Sequence, residues 1–349
     1  MTVEAAQPRR TPARRTPVRR ASVPRMGPRP LVLALDLGAS RIRTAAVGPG
    51  GALRARGERE TGAVDGPEAV VSRCLAALEE VRGLLDPADR TALGALGISA
   101  PGPLDNRAGV LLDPPNLGPA LHDLPLGPRL GAALGLPVAM DRDTHIAALA
   151  EQAFGAARGV DDFVYLTVST GLGGAIVAGG RLFGGPDGLA GELGHLPVAV
   201  DGPPCACGGR GHLEAVASGS AIARAARETM GRDLDARAVA EAEEAGDPAA
   251  AAIMERARQA FAAALVGIVD ALTPRLIIVG GSLARGQGER WLGPARERVA
   301  REAFRRPAAR VAIVPAALGD DVGLAGAIPF LEARGLLPAG RPRTTAVRA

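Results

Sequence analysis

The 349-residue chain contains no lysine, so all 41 of its basic residues are arginines. That absence excludes a P-loop, which needs a lysine behind its glycine-rich turn. We assign the arginine bias to genomic base composition rather than to phosphate recognition. Aromatic residues make up only 2%, so the cores must be built from Ala, Leu and Val, and platforms for stacking nucleic-acid bases are scarce. Three cysteines, two of them in one Cys-x-Cys, do not make a disulfide framework. No apolar run has membrane-spanning length, and the charged N-terminus leads into no uninterrupted apolar stretch of the secretory kind. These absences point to the cytoplasm, with no membrane partner and no specific nucleic-acid binding.

What is present is 47% hydrophobic and 22% charged, the composition of a packed protein with room for two domains. The formal charge is +4, but residues 1–30 carry eight arginines against Glu4 alone, which gives that segment +7 and leaves the remainder at −3. Residues 1–30 mix Pro, Arg, Thr and Ala without periodicity and are expected to be a disordered tail, with a flexible arm touching acidic partners as the alternative.

From Leu31, Leu-Val-Leu-Ala-Leu suits a buried strand, and a turn at Gly38 with a second strand through Ile42 and Val47 makes a hairpin. Val70, Val71, Cys74, Leu75, Leu78 and Val81 recur at helical spacing behind Pro67, predicting a helix over 67–81. A strand near Leu93–Ile98 precedes a Pro- and Gly-rich stretch, 100–137, that reads as loops over one face. Next come a strand at Val138–Met140 and a helix from about Thr144. The second half opens as the first did, with a strand at Phe163–Val168, a Gly-rich turn over 169–174 and a returning strand at Ala175–Ala178. This repetition predicts a duplicated α/β fold with the ligand between the halves. Beyond it lie an Ala-rich helix over Pro248–Leu272, a strand at Leu276–Val279 and a Gly280-Gly281 turn.

His195, Cys205, Cys207 and His212 offer two imidazoles and two thiols, the donors that zinc takes in tetrahedral array. The glycines and prolines between them let the backbone curl around an ion. The competing reading is a solvent-facing pair of reduced cysteines beside two unrelated histidines.

The run Gly188-Leu-Ala-Gly-Glu192-Leu-Gly-His195, followed by Cys205-Ala-Cys207-Gly-Gly-Arg-Gly-His212-Leu-Glu214, resembles the signature of the ROK family of repressors, open reading frames and sugar kinases. The likeness spans about residues 31–335, through Asp36-Leu-Gly-Ala-Ser40, Pro101-Gly-Pro-Leu-Asp105, Thr170-Gly-Leu-Gly-Gly174 and Gly319-Asp-Asp-Val-Gly323. The resemblance implies a two-lobed, actin-like and hexokinase-like ATPase fold of duplicated ribonuclease-H-like domains with a structural zinc loop. Its smaller lobe is expected over 31–142, completed by a C-terminal helix near 322–335, and its larger lobe over 143–321, with the zinc loop at 195–212. It also implies a homo-oligomer, dimer or tetramer.

By the same resemblance, Glu192, His195 and Glu214 are sugar ligands, the metal fixing the histidine ring so that its far nitrogen meets a hydroxyl. The alternatives are a solvated loop charge for Glu192 and a helix-start acid for Glu214. Asp36, Gly38 and Ser40 resemble the family's first phosphate motif, with Asp36 near Mg2+; Thr170, Gly171 and Gly173 resemble the second; Gly280 and Gly281 resemble the adenosine-side turn of the ATP site. Taken alone, such a Gly-rich run is a tight turn. Asp143 stands where the family places its general base, and as a residue it is equally a helix N-cap. Arg142 and His145 depart from the family's usual asparagines. Arg142, a donor only, is expected to touch the substrate and read a different hydroxyl pattern or an anionic sugar, or to lower the pKa of Asp143 by proximity. Asn116 falls in the sugar-side loop and is equally a turn residue.

The function implied is an ATP-dependent sugar kinase, glucokinase-like, with ATP and Mg2+ as cofactors and structural Zn2+. The runner-up is a non-enzymatic sugar-sensing regulator of the same family, which would need a helix-turn-helix for which the residues before Leu31 show no helical periodicity. A third reading is a kinase whose activity has degraded around Arg142.

Overall fold

The computed structural model describes residues 31–114, 117–118 and 121–338. The expected tail at 1–30, and Asn116, lie outside the described residues.

The first sheet is built from β1 (Leu31–Leu37), β2 (Arg41–Val47), β3 (Leu53–Glu60), β4 (Leu93–Ala100) and β7 (Val138–Arg142), in the order β3-β2-β1-β4-β7. Between β4 and β7 the short β5 (Leu104–Asp105) and β6 (Val110–Leu111) form a separate two-stranded ribbon. The β1–β2 and β2–β3 pairs are antiparallel, while β4 and β7 add in parallel. β1 is apolar except at Asp36 because both of its faces are covered. Leu33, Leu35 and Leu37 join a core with Val70, Cys74 and Leu78 of α1 (Pro67–Gly83), while Val32 and Ala34 face the opposite side.

The stretch expected as loops holds a helix. After α2 (Pro87–Thr91), α3 covers Leu126–Leu134. Pro128 falls in its first turn, where no N–H is owed, and Leu126, Leu130 and Leu134 form a buried stripe one turn apart that docks on the first core.

The second sheet repeats the plan. β8 (Phe163–Val168), β9 (Leu172–Ala178), β10 (Arg181–Leu182), β11 (Leu276–Gly280) and β12 (Ala312–Pro315) run in the order β10-β9-β8-β11-β12, again with an antiparallel hairpin side and a parallel side. Alternation along β8 sends Val164, Leu166 and Val168 into one core and Phe163 and Tyr165 into another. The helices on this side include α5 (Leu213–Ala217), α6 (Gly219–Met230), α7 (Ala236–Glu244), α8 (Pro248–Leu272), α9 (Ser282–Gln287) and α10 (Glu289–Glu302).

Between the sheets lies α4 (Asp143–Phe154). Its Ile146 and Leu149 pack with the first sheet and with Leu324, Ala327 and Phe330 of the C-terminal helices Val322–Ala325 and Ala327–Ala333, while its Ala147 and Ala148 pack with the second sheet. The boundary expected at 142/143 therefore falls at the start of a helix that both sheets share.

Candidate active site and metal cluster

Parallel pairing sets the first half of the site. Asp36 of β1 lies level with Ser99 of β4, Ser99 with Asp141 of β7, and Ala100 with Arg142, so the ends of three strands present polar groups in one row. Asp36 is buried; its Oδ1 accepts from Ser99 Oγ (2.8 Å) and its Oδ2 from Arg43 Nη2 (2.6 Å). Arg43 is its hairpin partner on β2.

Asp143 opens α4 at the end of this row, with Oδ1 accepting from Thr144 N at 2.7 Å. Its side chain reaches solvent but is crowded by protein on the remaining sides. That crowding first, then the nearby charges of Asp36 and Glu192, push its carboxyl up from 3.8 to about 6, against the Thr144 N–H and Arg142.

Each sheet contributes one hairpin turn. Gly38 N closes its turn on Arg41 O (2.9 Å), leaving Ser40 exposed. Ser169 N closes the second turn on Gly171 O (2.9 Å), and Thr170 is exposed at its tip. Gly173 faces α4 so closely that a Cβ there would lie 3.0 Å from Thr144 Cγ2. The second turn is bolted to the start of α6 through Gly219 N to Ser169 O (2.8 Å) and Ser220 N to Thr170 O (3.0 Å). It also meets the start of α9 through the Ser169 and Ser282 hydroxyls, 2.8 Å apart. Gly281 caps α9 at φ +92°, and a Cβ on it would sit 2.3 Å from Val168 O, so only glycine fits.

On the sugar side, Glu214 Oε2 accepts from Leu172 N (2.9 Å), anchoring it to the start of β9. Arg142, expected to touch the substrate, is paired within the protein. It is only 3% exposed and its guanidinium is spent inward, on Glu192 Oε1, the His145 ring and Ala190 O (2.5 Å). Arginine can only donate, so His145 accepts at Nε2 and turns Nδ1 to Asp141 Oδ1 (2.9 Å). Burial works against the Asp141 charge, but His145, Arg334 (2.6 Å from Oδ2) and the Arg142 N–H hold its carboxyl below the ordinary value. Asp141, Arg334, Arg43 and Ser99 were not anticipated. For Arg43 the signal was its place opposite Asp36 across a hairpin; for Arg334, 193 positions from Asp141, there was none.

His195, Cys205, Cys207 and His212 come together, their donor atoms all within 4.8 Å of one another. Cys205 Sγ is 3.6 Å from His195 Nδ1, and Cys207 Sγ is 3.2 Å from His212 Nδ1. Tetrahedral zinc with bonds of 2.0–2.3 Å separates its ligands by about 3.3–3.8 Å, so the donor set is one zinc takes and the two closest pairs lie near its spacing, while the cluster as a whole spreads wider, to 4.8 Å. Gly211 adopts φ +64° and a Cβ there would overlap Ala199 O, which is how the loop closes so tightly. With Nδ1 turned to the thiols, His195 Nε2 points toward Glu192 Oε2, 3.9 Å away.

The ROK family model matches residues 32–334. The chain belongs to the ROK family. It is 33% identical over 321 residues to the glucokinase of Thermotoga maritima, covering 88% of this chain and 99% of that one. It is 37% identical over 296 residues to the N-acetylmannosamine kinase of Escherichia fergusonii, covering 84% and 96%. A solved ROK glucokinase from Streptomyces griseus, in complex with glucose and AMPPNP, superposes with a TM-score of 0.72 at 30% identity, over 85% of this chain and 97% of that one. Among the described residues no helix is long and apolar enough to cross a membrane.

Proposed function

We propose that this ROK protein is an ATP-dependent sugar kinase that transfers the γ-phosphate of ATP to a hydroxyl of a hexose or amino sugar, with Asp143 as general base. The observation that carries the proposal is the position of Asp143. It stands between the two sheets, within the electrostatic reach of Asp36 and Glu192, with its carboxyl raised to about 6. A base of that strength is ionised at neutral pH and still able to accept a proton from a hydroxyl that is becoming a nucleophile.

In the reaction the sugar oxygen bonds to the γ-phosphorus, its proton passes to Asp143, and the bond from that phosphorus to the bridging oxygen breaks, releasing ADP. The turns at Gly38–Ser40 and Thr170–Gly173 would bind the phosphates, and the Gly280-Gly281 turn, packed on Tyr165, Ala316 and Val168, would lie beside the adenosine. Asp36, held by Arg43 and Ser99, would hold Mg2+, which would neutralise charge at the phosphates. His195, Cys205, Cys207 and His212 would hold a zinc ion that fixes the His195 ring, so that its Nε2–H donates to a sugar hydroxyl while the Glu192 and Glu214 carboxylates accept from neighbouring hydroxyls. Arg142 takes up one Glu192 oxygen and so tunes the acceptor that the pocket prefers. The lobes are 31–142 with the 322–335 helices, and 143–321, in an actin-like, hexokinase-like pairing. The named kinases among its relatives support a hexose or an N-acetylated amino sugar as acceptor. A coupled ADP-release screen over hexoses, amino sugars and acidic sugars tests the proposal; a wild-type protein that releases no ADP with any of them defeats it.

A further inference from the structure

Glu151 lies on α4 two helical turns beyond Asp143, is fully buried, and has no part in the chemistry above. A carboxylate in such a place is costly unless hydrogen bonds satisfy it. Its Oε2 accepts from Ala156 N at 2.7 Å, a local bond at the end of its own helix. Its Oε1 accepts from Ala317 N at 2.9 Å and Leu318 N at 3.0 Å, more than 160 positions away.

The segment those two N–H groups belong to touches the nucleotide side of the site at both ends. Upstream, Ala316 N donates to Val279 O (2.9 Å), one residue before Gly280, and the Ala316 Cβ lies 3.2 Å from where a Cβ on Gly280 would be. Downstream, Asp320 O accepts from Arg43 Nη1 (2.7 Å), the same arginine that holds Asp36, and Asp320 Oδ1 accepts from Arg285 of α9 (2.8 Å). A Cβ on Gly323 would lie 3.0 Å from the Asp36 carboxyl carbon.

We propose that Glu151 is a positioning residue for the nucleotide, fixing the 316–321 segment to the helix that begins at Asp143. One side chain thereby sets the spacing between the base, the Asp36 carboxylate and the Gly280-Gly281 turn. Glu151 acts about 12 Å along the helix from Asp143 and touches no substrate. The sugar ligands hang on other elements, Glu214 on β9 and His195 on the Cys/His cluster, so loosening this tie weakens the nucleotide and spares the sugar. The inference rests on the kinase reading.

The test compares Glu151→Asp and Glu151→Gln with the wild type. Aspartate keeps the charge but falls one methylene short, so it cannot hold Ala156 and the 317–318 amides together. Glutamine keeps the reach but turns an NH2 toward one set of N–H groups. The KM for ATP rises about tenfold in the aspartate variant, roughly the loss of one hydrogen bond to a charged group, and less in the glutamine variant. The sugar Kd, titrated without nucleotide, stays within about twofold. In the wild-type chain, hydrogen–deuterium exchange over 316–321 slows when MgADP binds, a measurement that needs no variant to fold. An ATP KM within about twofold of wild type in both variants, or exchange over 316–321 that ignores bound MgADP, overturns the inference. A wild type that makes no ADP on any sugar overturns the kinase reading instead.

Discussion

Replacing Asp143 with asparagine removes the proposed base while keeping an oxygen for the Thr144 N–H. Because crowding, Asp36 and Glu192 push the carboxyl up to about 6, the acid limb of kcat/KM for the sugar falls near pH 6, and activity drops about tenfold between pH 7 and pH 5. Asp143→Asn loses about 10²–10⁴-fold in kcat, the usual worth of a positioned general base, and its profile has no limb near 6. The same shift has a consequence for stability. An aspartate whose folded value lies above its ordinary 3.8 binds protons more tightly in the folded state, so stability falls as pH rises from about 4 through about 6, and the cost is fully present above that window. Asp143→Asn removes the cost: its Tm exceeds the wild-type Tm at pH 7.5, and the gap closes by pH 4. A coupled ADP assay across pH and a melting series read both effects. A limb centred near pH 4, or a variant keeping more than about a tenth of wild-type kcat, would refute the reasoning.

Arg142→Asn leaves Glu192, the His145 ring and Ala190 O without their donor, which costs about 1–3 kcal/mol in a denaturant melt, and it frees a Glu192 oxygen. Activity on glucose rises and activity on another sugar of the panel falls; a rise with no loss on any sugar would instead mark Arg142 as a lesion. Cys205→Ser or His212→Ala empties the metal cluster: zinc measured by elemental analysis falls well below one per chain, and the sugar KM rises about tenfold while the ATP KM holds. Gly281→Ala must move the Val168 backbone and leave its own φ of +92°. It loses more than about 3 kcal/mol of stability, and any folded fraction binds MgADP poorly in calorimetry.

Strong local patterns are where sequence and structure agree. The apolar runs of β1 and β8 need both faces covered wherever they sit, and 25 residues of helical spacing behind Pro248 make α8 from Pro248 to Leu272 as expected. The Cys/His cluster was legible because few other pairings explain two thiols and two imidazoles so close along the chain. The helix α3 was hidden by Gly127, Pro128 and Gly131; its stripe of leucines has meaning only with a core to receive it. The sequence by itself determined the repeated strand-turn-strand plan, the turns and the donor set for a metal, since each is a property of residues close along the chain. Tertiary structure alone decided that Arg142 pairs with Glu192, that Arg334 pairs with Asp141, and that Glu151 holds a loop more than 160 positions away. Buried charge must find a partner wherever the fold has brought one, and chain distance says nothing about where that is.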